Sequence, residues 1–293
     1  LITAVIQSSS ATTVMLVSFV NAGLVSLTQS IGVIMGANIG TTVTAWIISI
    51  LGFKVHISHI VLPLMGLALP LIFSKNRLRS NWGGVIIGFA IIFIGLDFLK
   101  DSTPDINNNP QLLAFLSQFS DLGYGSILIY LLIGTLLTVV IQSSSAVMAL
   151  TLVMCYNGWL SFEMAAAMVL GENIGTTITA NLAALIANTS AKRAARAHFI
   201  FNILGVLFVM SFFYPFLKLI VGITIGLGFD SPVERFEQTT QQTLEAIPVG
   251  LSIFHSTFNI MLTSLLVWFV PVIEKIVIWL VPQKDDDEEF RLQ

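Results

Sequence analysis

An internal repeat constrains the fold of this chain more than any other feature of its sequence. The segment Gln7-Ser8-Ser9-Ser10 recurs as Gln142-Ser143-Ser144-Ser145, at an offset of 135 residues. A second motif, Asn38-Ile-Gly-Thr-Thr, recurs at the same offset from Asn173. Because two motifs keep one spacing in both halves, we interpret each half as one structural unit.

The composition places these units in a membrane. Of the 293 residues, 55% are hydrophobic and only 10% are charged, whereas soluble domains carry about a quarter charged residues. A run of about 20 apolar residues can cross the bilayer as a helix. The sequence predicts six such segments, of which the last named is longer and broken near Tyr214-Pro215: Ile31–Leu51, Ile57–Phe73, Trp82–Leu99, Met164–Ala187, Ile247–Val270 and His198–Phe229.

Three further apolar runs are not typical of full crossings. Val272–Val281 is short and carries Glu274 and Lys275, which favours a helix lying at the membrane interface. Leu1–Val20 and Ser126–Cys155 each hold a Gln-Ser-Ser-Ser segment inside apolar flanks. We predict that both are re-entrant helical hairpins with their tips at mid-membrane, since protein or a wet cavity must cover irregular backbone there.

The charges of the loops predict how the two halves are oriented. Loops rich in Lys and Arg favour the cytoplasm, and both Lys75–Arg79 and Lys192–Arg196 are basic, whereas Asp101–Pro110 carries two aspartates and no base. Equivalent loops then face opposite sides, so the repeat is predicted to be inverted. Inverted repeats are typical of secondary transporters, with the substrate near the midplane. We therefore expect a multi-pass cell membrane protein, with the acidic run Lys284–Glu289 in the cytoplasm.

The sequence therefore predicts an all-α integral membrane protein in which each repeat has a re-entrant helical hairpin and a broken transmembrane helix. Residues 1–80 form the first inverted repeat, whose N-terminal helix we expect to be missing, and residues 81–230 form the second. Residues 231–293 supply a C-terminal transmembrane helix, the interfacial helix and an acidic tail. A net charge of −3 without a basic patch predicts no nucleic-acid partner. The single cysteine, Cys155, is interpreted as a buried hydrophobe.

The duplicated serine segments are the candidate substrate site. Each offers hydroxyls, an amide and free backbone N–H groups, which suit a phosphate or another oxyanion. One serine-rich stretch would favour a packing role in a membrane helix, but two in register favour a site. The predicted substrate residues are Gln7, Ser8, Ser9, Ser10, Gln142, Ser143, Ser144 and Ser145.

The second motif is the candidate cation site. We interpret Asn-Ile-Gly-Thr-Thr as a helix break, in which Gly40 and Gly175 permit unusual backbone angles. Hydroxyl, amide and released carbonyl oxygens suit a hard cation such as sodium. Glu172, which replaces Ala37 of the first half, is an intramembrane carboxylate and hence a functional candidate. The predicted sodium residues, with no other metal expected, are Asn38, Thr41, Thr42, Thr44, Glu172, Asn173, Thr176, Thr177 and Thr179.

A histidine motif also recurs. His198-Phe-Ile-Phe-Asn202 reappears as His255-Ser-Thr-Phe-Asn259, and His59 is the corresponding histidine of the first half. The two interpretations are a polar set near the substrate path and hydrogen bonding between helices, of which we prefer the second.

At these motifs the chain resembles the type II sodium–phosphate cotransporter family, especially its bacterial members. The shared pieces include Gly95-Leu96-Asp97 and the His198 motif as well as the duplicated ones. The resemblance implies a secondary active symporter that couples sodium entry to uptake of inorganic phosphate, with an elevator-like movement of the substrate-holding part. It implies phosphate at Gln7–Ser10 and Gln142–Ser145, and sodium near these tips and the broken helices, including Asn173, Thr176 and Thr179.

The chain also departs from the family. Electrogenic vertebrate members have an aspartate after the first-half histidine, where this chain has Ile60, so the resemblance favours electroneutral transport. Similar bacterial proteins continue from a run like Glu288–Leu292 into a cytoplasmic domain that resembles a phosphate-uptake regulator, and we expect that domain to be absent from this chain.

Three alternatives remain open on the sequence. The first is a sodium-coupled symporter of another small anion, such as sulfate or a dicarboxylate. The second is an intramembrane hydrolase that pairs a serine with His198, although two equal serine segments do not fit a single nucleophile. The third is a purely structural membrane protein, which leaves the duplicated polar motifs unexplained.

Overall fold

The fold is all-helical in the residues that the structure, a computed structural model, describes: 1–54, 58–102, 119, 122–233 and 241–283. The α-helices are α1 Ile2–Ile6, α2 Ser9–Asn21, α3 Leu27–Ile47, α4 Ser58–Ile72, α5 Arg77–Ser102, α6 Tyr124–Ile141, α7 Ser144–Tyr156, α8 Phe162–Ala183, α9 Thr189–Ser211, α10 Phe213–Gly226, α11 Gln241–Leu266 and α12 Val270–Leu280. A π-helix, Ile48–Lys54, follows α3, and 3₁₀ turns occupy Ala184–Ile186 and Val267–Phe269.

Five helical segments in these ranges are long and apolar enough to cross a membrane. They are Leu27–Phe53, Arg77–Ser102, Tyr124–Ile141, Thr189–Ser211 and Thr243–Leu280. The predicted all-α membrane class is therefore confirmed. The re-entry of the hairpins, the inversion of the repeats and the division at residues 80 and 230 stay predictions.

Other predicted boundaries compare closely with the observed ones. The break expected near Tyr214-Pro215 is confirmed at Phe212, which separates α9 from α10. The short segment Val272–Val281 corresponds to α12, an 11-residue helix. The acidic run Lys284–Glu289 and residues 103–110 of the predicted outer loop lie outside the described residues.

The two serine segments form the same kind of hairpin tip. Gln7, at the end of α1, and Gln142, at the end of α6, both adopt the left-handed conformation, with φ of 58° and 59°. The next residues, Ser8 and Ser143, are extended, with φ of −142° and −144°. Side chains other than glycine adopt the left-handed region uncommonly. The matched pair of left-handed glutamines therefore shows that the repeated sequence specifies one turn geometry twice.

The entries to α3 and α8 are also built alike. Gly23 and Gly158 turn the chain with φ of 74° and 75°, values that glycine adopts without a steric penalty. Ser26 and Ser161 then cap the helices, accepting hydrogen bonds from the backbone N–H groups of Gln29 and Met164. A serine cap stabilises a helix by about 1 kcal/mol relative to alanine. All four positions keep the 135-residue offset.

The predicted break at Asn-Ile-Gly-Thr-Thr is wrong, because α3 and α8 run through both copies as continuous α-helices. The glycines serve close packing instead. A Cβ at Gly40 would lie 2.8 Å from the Cβ of Thr3 on α1, and one at Gly175 would lie 2.6 Å from the Cβ of Thr138 on α6. Glycine thus lets each hairpin approach the neighbouring helix closely, a common use of small residues in membranes. Since the helical hydrogen bonds are kept, no carbonyls are released at these motifs.

Helix α8 lies at the centre of the second half. It packs against α6, α7, α9 and α11, and the side chains of Ala165, Ala166 and Ala167 are fully buried. At Gly171 an added Cβ would lie 2.0 Å from the backbone oxygen of Leu131. The α6–α8 pair is therefore too close for any side chain at this point, which fixes where the hairpin tip stands relative to α8.

Candidate functional site

The two hairpin tips meet. The Ser145 hydroxyl donates a hydrogen bond of 3.4 Å to the backbone carbonyl of Gln7, across 138 residues of sequence. Beside this contact is a pocket that takes residues from α2, α3, α7, α8 and α11. Its lining consists of Ser9, Asn38, Thr41, Thr44, Ser144, Ser145, Met148, Glu172, Asn173, Thr176 and His255. Both copies of both motifs thus contribute to one polar pocket.

Ser9 and Ser144 occupy equivalent positions in this pocket. Each is the first residue of its helix, α2 or α7. Neither hydroxyl has a hydrogen-bond partner among the residues that the structure describes. The first backbone N–H groups of a helix also lack intrahelical partners, and the helix dipole favours negative charge there. The pocket therefore receives two free hydroxyls and two helix N-termini, which together suit an oxyanion.

The glutamines do not line the pocket. The side-chain oxygen of Gln7 accepts a hydrogen bond of 2.6 Å from Thr44, and that of Gln142 accepts one of 2.8 Å from Thr179. Their amide groups donate back to the carbonyls of Ala4 and Val139. Both glutamine side chains are therefore engaged in fastening a tip to α3 or α8. Sequence reasoning placed them against the substrate, whereas the structure gives them a positioning contact.

The remaining predicted substrate residues divide by position. Ser8 and Ser143 cap α2 and α7, accepting hydrogen bonds of 3.1 and 3.3 Å from the backbone N–H groups three residues on. Ser145 lines the pocket, whereas its equivalent, Ser10, does not. The pocket is therefore not fully symmetric at the tips.

A second set of lining groups presents oxygen lone pairs. The hydroxyls of Thr41 and Thr176 donate to backbone carbonyls four residues earlier, at 3.0 and 2.7 Å. The amide nitrogen of Asn38 donates to the side-chain oxygen of Asn202 at 3.1 Å, and that of Asn173 donates to the Val169 carbonyl at 2.8 Å. The single proton of each threonine hydroxyl is thus engaged, and each asparagine is held by one amide hydrogen, so all four side chains can offer acceptor oxygens to the pocket. Such groups suit a hard cation.

Of the other predicted cation residues, Thr44 and Glu172 also line the pocket, and the Thr44 hydroxyl is bonded to Gln7. Thr42 and Thr177 are buried and donate to carbonyls of their own helices, at 2.8 and 2.7 Å. Thr179 braces Gln142. The structure thus separates the nine predicted residues into those that face the pocket and those that hold the helices or the tips in place.

Glu172 is the charged residue that the lining contains in the described part of the chain. Its side chain is 2% exposed, and one carboxylate oxygen accepts a hydrogen bond of 3.0 Å from Thr151 on α7. No lysine or arginine lines the pocket in the described part of the chain. A buried carboxylate without a cationic partner is costly. A cation bound beside Glu172 would offset this cost.

His255 is a lining residue that sequence reasoning did not select. It lies on α11, after the predicted end of the second repeat at residue 230, and its Nδ1 has no hydrogen-bond partner among the described residues. His198 is fully buried and does not line the pocket. Neither of its ring nitrogens has a partner in the described ranges, so the serine–His198 pair of a hydrolase is not formed. The expected bonding between helices is found for Asn202, which accepts from Asn38.

Comparison with known proteins identifies the class of molecule to which this site belongs. A profile of the Na+/Pi-cotransporter family matches residues 1–101 and 114–230. The uncharacterized protein YqeW of Bacillus subtilis is 34% identical over 229 residues, which cover 78% of this chain and 70% of that protein. No solved structure matches.

Two further relatives carry names that mention phosphate. YjbB of Salmonella typhimurium, provisionally named an inorganic phosphate export protein, is 32% identical over 219 residues, or 74% of this chain. Sodium-dependent phosphate transport protein 2B of Rattus norvegicus is 40% identical over 102 residues, or 33% of this chain. The chain spans only 39% and 14% of these two proteins.

The profile match covers most of the chain and both copies of the repeated motifs. This chain therefore belongs to the Na+/Pi-cotransporter family, a family of transporters and not of enzymes, and it is a multi-pass membrane protein.

Proposed function

We propose that this chain transports inorganic phosphate together with sodium, and that phosphate binds between the tips of the two hairpins. The observation that carries the proposal is the composition of the shared pocket. Two helix N-termini and two unpartnered serine hydroxyls face it, while neither lysine nor arginine lines it in the described residues. A pocket of this kind binds an anion only when a cation binds with it.

Phosphate fits the donors and acceptors of the pocket better than sulfate does. At neutral pH phosphate carries at least one proton, so it can accept hydrogen bonds and also donate one. Ser9 and Ser144 can donate to its oxygens, and their lone pairs can accept from its hydroxyl. Glu172 and Asn173 offer further acceptors nearby. Sulfate has no proton to give to these acceptors.

Sodium supplies the positive charge that the pocket lacks. The acceptor oxygens of Asn38, Thr41, Asn173 and Thr176, with the carboxylate of Glu172, form the proposed ligand set. A cation about 4 Å from an anion interacts by about 4 kcal/mol at an effective dielectric constant of 20. This is enough to raise the affinity for phosphate by orders of magnitude, and it couples the two ions without a fixed lysine or arginine.

The cycle follows from this coupling. Sodium binds first beside Glu172 and creates the affinity for phosphate, the loaded pocket moves its charges across the membrane in an elevator-like displacement, and the loss of sodium releases the anion. Uptake is the direction that an inward sodium gradient drives. Export is the second candidate direction, because the name of the relative YjbB mentions it. Uptake and export are the same symport reaction run in opposite directions, and the gradients of sodium and phosphate decide the direction.

The test is uptake of radiolabelled phosphate into proteoliposomes that contain the purified chain. We expect accumulation under an inward sodium gradient, and none when choline replaces sodium. Excess unlabelled phosphate should compete, whereas equal sulfate or succinate should not. Preloaded vesicles, assayed for efflux with the gradient reversed, measure the export direction. Uptake that is indifferent to sodium, or that sulfate or succinate inhibits as strongly as phosphate, would reject the proposal.

A further inference from the structure

A second pocket, at the ends of α8 and α12, has a different chemistry. Its lining consists of Asn181, Ala184, Leu185, Lys192, Arg196 and Val281. Asn181 follows the Asn-Ile-Gly-Thr-Thr motif on α8, and Ala184 and Leu185 belong to the 3₁₀ turn after that helix. The two basic residues lie on the first turns of α9, and Val281 follows the last residue of α12. Nothing in the proposed transport cycle uses this pocket.

The wall of this pocket is positively charged. Lys192 and Arg196 are four residues apart on α9, so they lie on the same face of the helix. Neither has a carboxylate partner among the described residues, where the ion pair found is that of Lys100 with Asp97. Arg193, between them, donates from Nε to the carbonyl of Val281 at 2.9 Å. The basic end of α9 is therefore fastened to the point where the chain leaves α12.

An acidic run follows this point directly. Asp285, Asp286, Asp287, Glu288 and Glu289 begin four residues after Val281. At no more than about 3.6 Å per residue, Asp285 lies within about 14 Å of the pocket wall and Glu289 within about 29 Å. A short tether of this kind gives an effective concentration in the millimolar range. The length of the tether thus allows five carboxylates to reach two cations for which the described residues offer no carboxylate.

We propose that the pocket formed by Asn181, Lys192 and Arg196 binds the acidic run Asp285–Glu289 of the same chain. The anionic headgroup of a lipid has the same charge as this run, but the run is tethered through Val281, a residue that itself lines the pocket. A single exposed ion pair contributes little. Several carboxylates facing two cations can form a network, which contributes more than one pair. The tether also lowers the entropy cost of bringing the run to the pocket.

Occupancy of the pocket has a consequence for the transport site. Asn181 donates to the carbonyls of Thr177 on α8 and Ala195 on α9, at 2.8 and 3.2 Å, so it already joins the two helices. An acidic segment bound to Lys192 and Arg196 adds a second fastening at the same end of α8. Thr179 lies two residues before Asn181, and its hydroxyl donates the hydrogen bond that holds Gln142 at the second hairpin tip. The bound run thus restrains the helix that positions one half of the phosphate pocket.

Disulfide cross-linking in the full chain tests the proposal. Leu185 lines the pocket and is 64% exposed, whereas the native Cys155 is buried. Leu185→Cys and Asp287→Cys are combined, the protein is placed in phosphatidylcholine vesicles and oxidised, and linked peptides are quantified by mass spectrometry. In low salt we expect the cross-linking yield of this cysteine pair to be about fivefold higher than in a variant that also carries Lys192→Gln and Arg196→Gln. In 0.5 M KCl the yield should fall to that of the glutamine variant.

Charge-reversal variants test whether the cross-link depends on attraction between the pocket and the acidic run. Lys192→Glu with Arg196→Glu should abolish the excess yield, and adding Asp286→Lys with Glu288→Lys should restore it, because the charges are then exchanged. A yield that neither the glutamine variants nor salt alters would overturn the proposal. The same pairs are also tested in vesicles that contain phosphatidylglycerol. A loss of bound phosphatidylglycerol in the glutamine variants, without any change in cross-linking, would likewise overturn the proposal, since the occupant would then be a lipid.

Discussion

The hydroxyl of Thr179 donates a hydrogen bond of 2.8 Å to the side-chain oxygen of Gln142, thirty-seven residues earlier in the sequence. The same bond joins Thr44 to Gln7 at 2.6 Å, at the same separation, in the other half of the chain. Each bond ties a left-handed hairpin tip to the helix that carries the Asn-Ile-Gly-Thr-Thr motif. The same pair of residue types thus joins the proposed substrate segment to the proposed cation motif in both halves.

Replacing Thr179 by valine removes this bond while keeping the shape of the side chain. The Gln142 oxygen then lacks this donor, at a cost of about 0.5–1.5 kcal/mol, and the second tip is less well held. We expect the KM for phosphate to rise about tenfold, with the folded yield unchanged. Transport kinetics in proteoliposomes measure the effect. Thr179→Ser should recover most of the activity, because serine can make the same bond.

The matched control for that variant is Thr224→Val. Thr224 is buried, and its hydroxyl donates to the carbonyl of Ile220 within its own helix, α10. We expect its kinetics to equal those of the wild type. Equal kinetics for Thr179→Val and Thr224→Val would show that the bond between tip and helix has no part in transport.

Replacing Ser143 by alanine removes the cap of α7. The loss costs about 1 kcal/mol of local stability, and it falls at the helix N-terminus that faces the pocket. We expect reduced affinity for phosphate and faster amide hydrogen exchange in the first turn of α7, both recovered by Ser143→Thr. Exchange measured by mass spectrometry checks the structural part separately from transport. An alanine variant with unchanged exchange would show that Ser143 does not act as a cap.

Replacing Glu172 by glutamine removes the only charge in the pocket lining. Thr151 can still donate a hydrogen bond to the amide oxygen, so we expect the fold to be kept. The sodium concentration for half-maximal transport should rise about tenfold or more, because a cation loses an oppositely charged ligand. Glu163→Gln, on the first turn of the same helix and outside the pocket, is the control. An unaltered sodium dependence in Glu172→Gln would exclude this carboxylate from the ion site.

Adding a methyl group at Gly175 tests the close packing of α6 on α8. The new Cβ would lie 2.7 Å from the Thr135 carbonyl oxygen, which is backbone and cannot swing away. Overpacking of this kind costs about 1–3 kcal/mol. We expect Gly175→Ala to lower the unfolding temperature in detergent by several degrees, whereas Gly36→Ala, which meets nothing within 4 Å, should not. Equal unfolding temperatures would contradict the packing.

The repeat in the sequence was sufficient to predict which segments would meet. The matching turns at the two serine segments and the meeting of the motifs follow from it, because a duplicated motif at constant spacing reports a duplicated structure. The break before α10 was predicted separately, from the long apolar run His198–Phe229 and its Tyr214-Pro215. The conformation at Gly40 and Gly175 did not follow. A glycine can serve an unusual backbone angle or a close helix contact, and one sequence contains no signal that separates the two uses.

The roles of individual side chains were harder to predict for a related reason. Gln7 and Gln142 looked like substrate ligands because they adjoin the serines, but their orientation depends on a left-handed turn and on Thr44 and Thr179, which lie 37 residues away. The histidine motif, which occurs at both His198 and His255, was interpreted as hydrogen bonding between helices, so His255 was not selected for the site. Which copy faces the pocket depends on how α11 is rotated against its neighbours, and helix packing alone decides this rotation.

Equilibrium binding of radiolabelled phosphate to the purified chain tests the central claim most directly, in sodium and in choline, for the wild type, Ser9→Ala, Ser144→Ala and the exposed control Ser18→Ala. The account predicts binding that requires sodium, weakened about tenfold or more by either pocket substitution and unaffected by the control. Binding of equal strength in choline, or wild-type affinity in Ser9→Ala or Ser144→Ala, would contradict it.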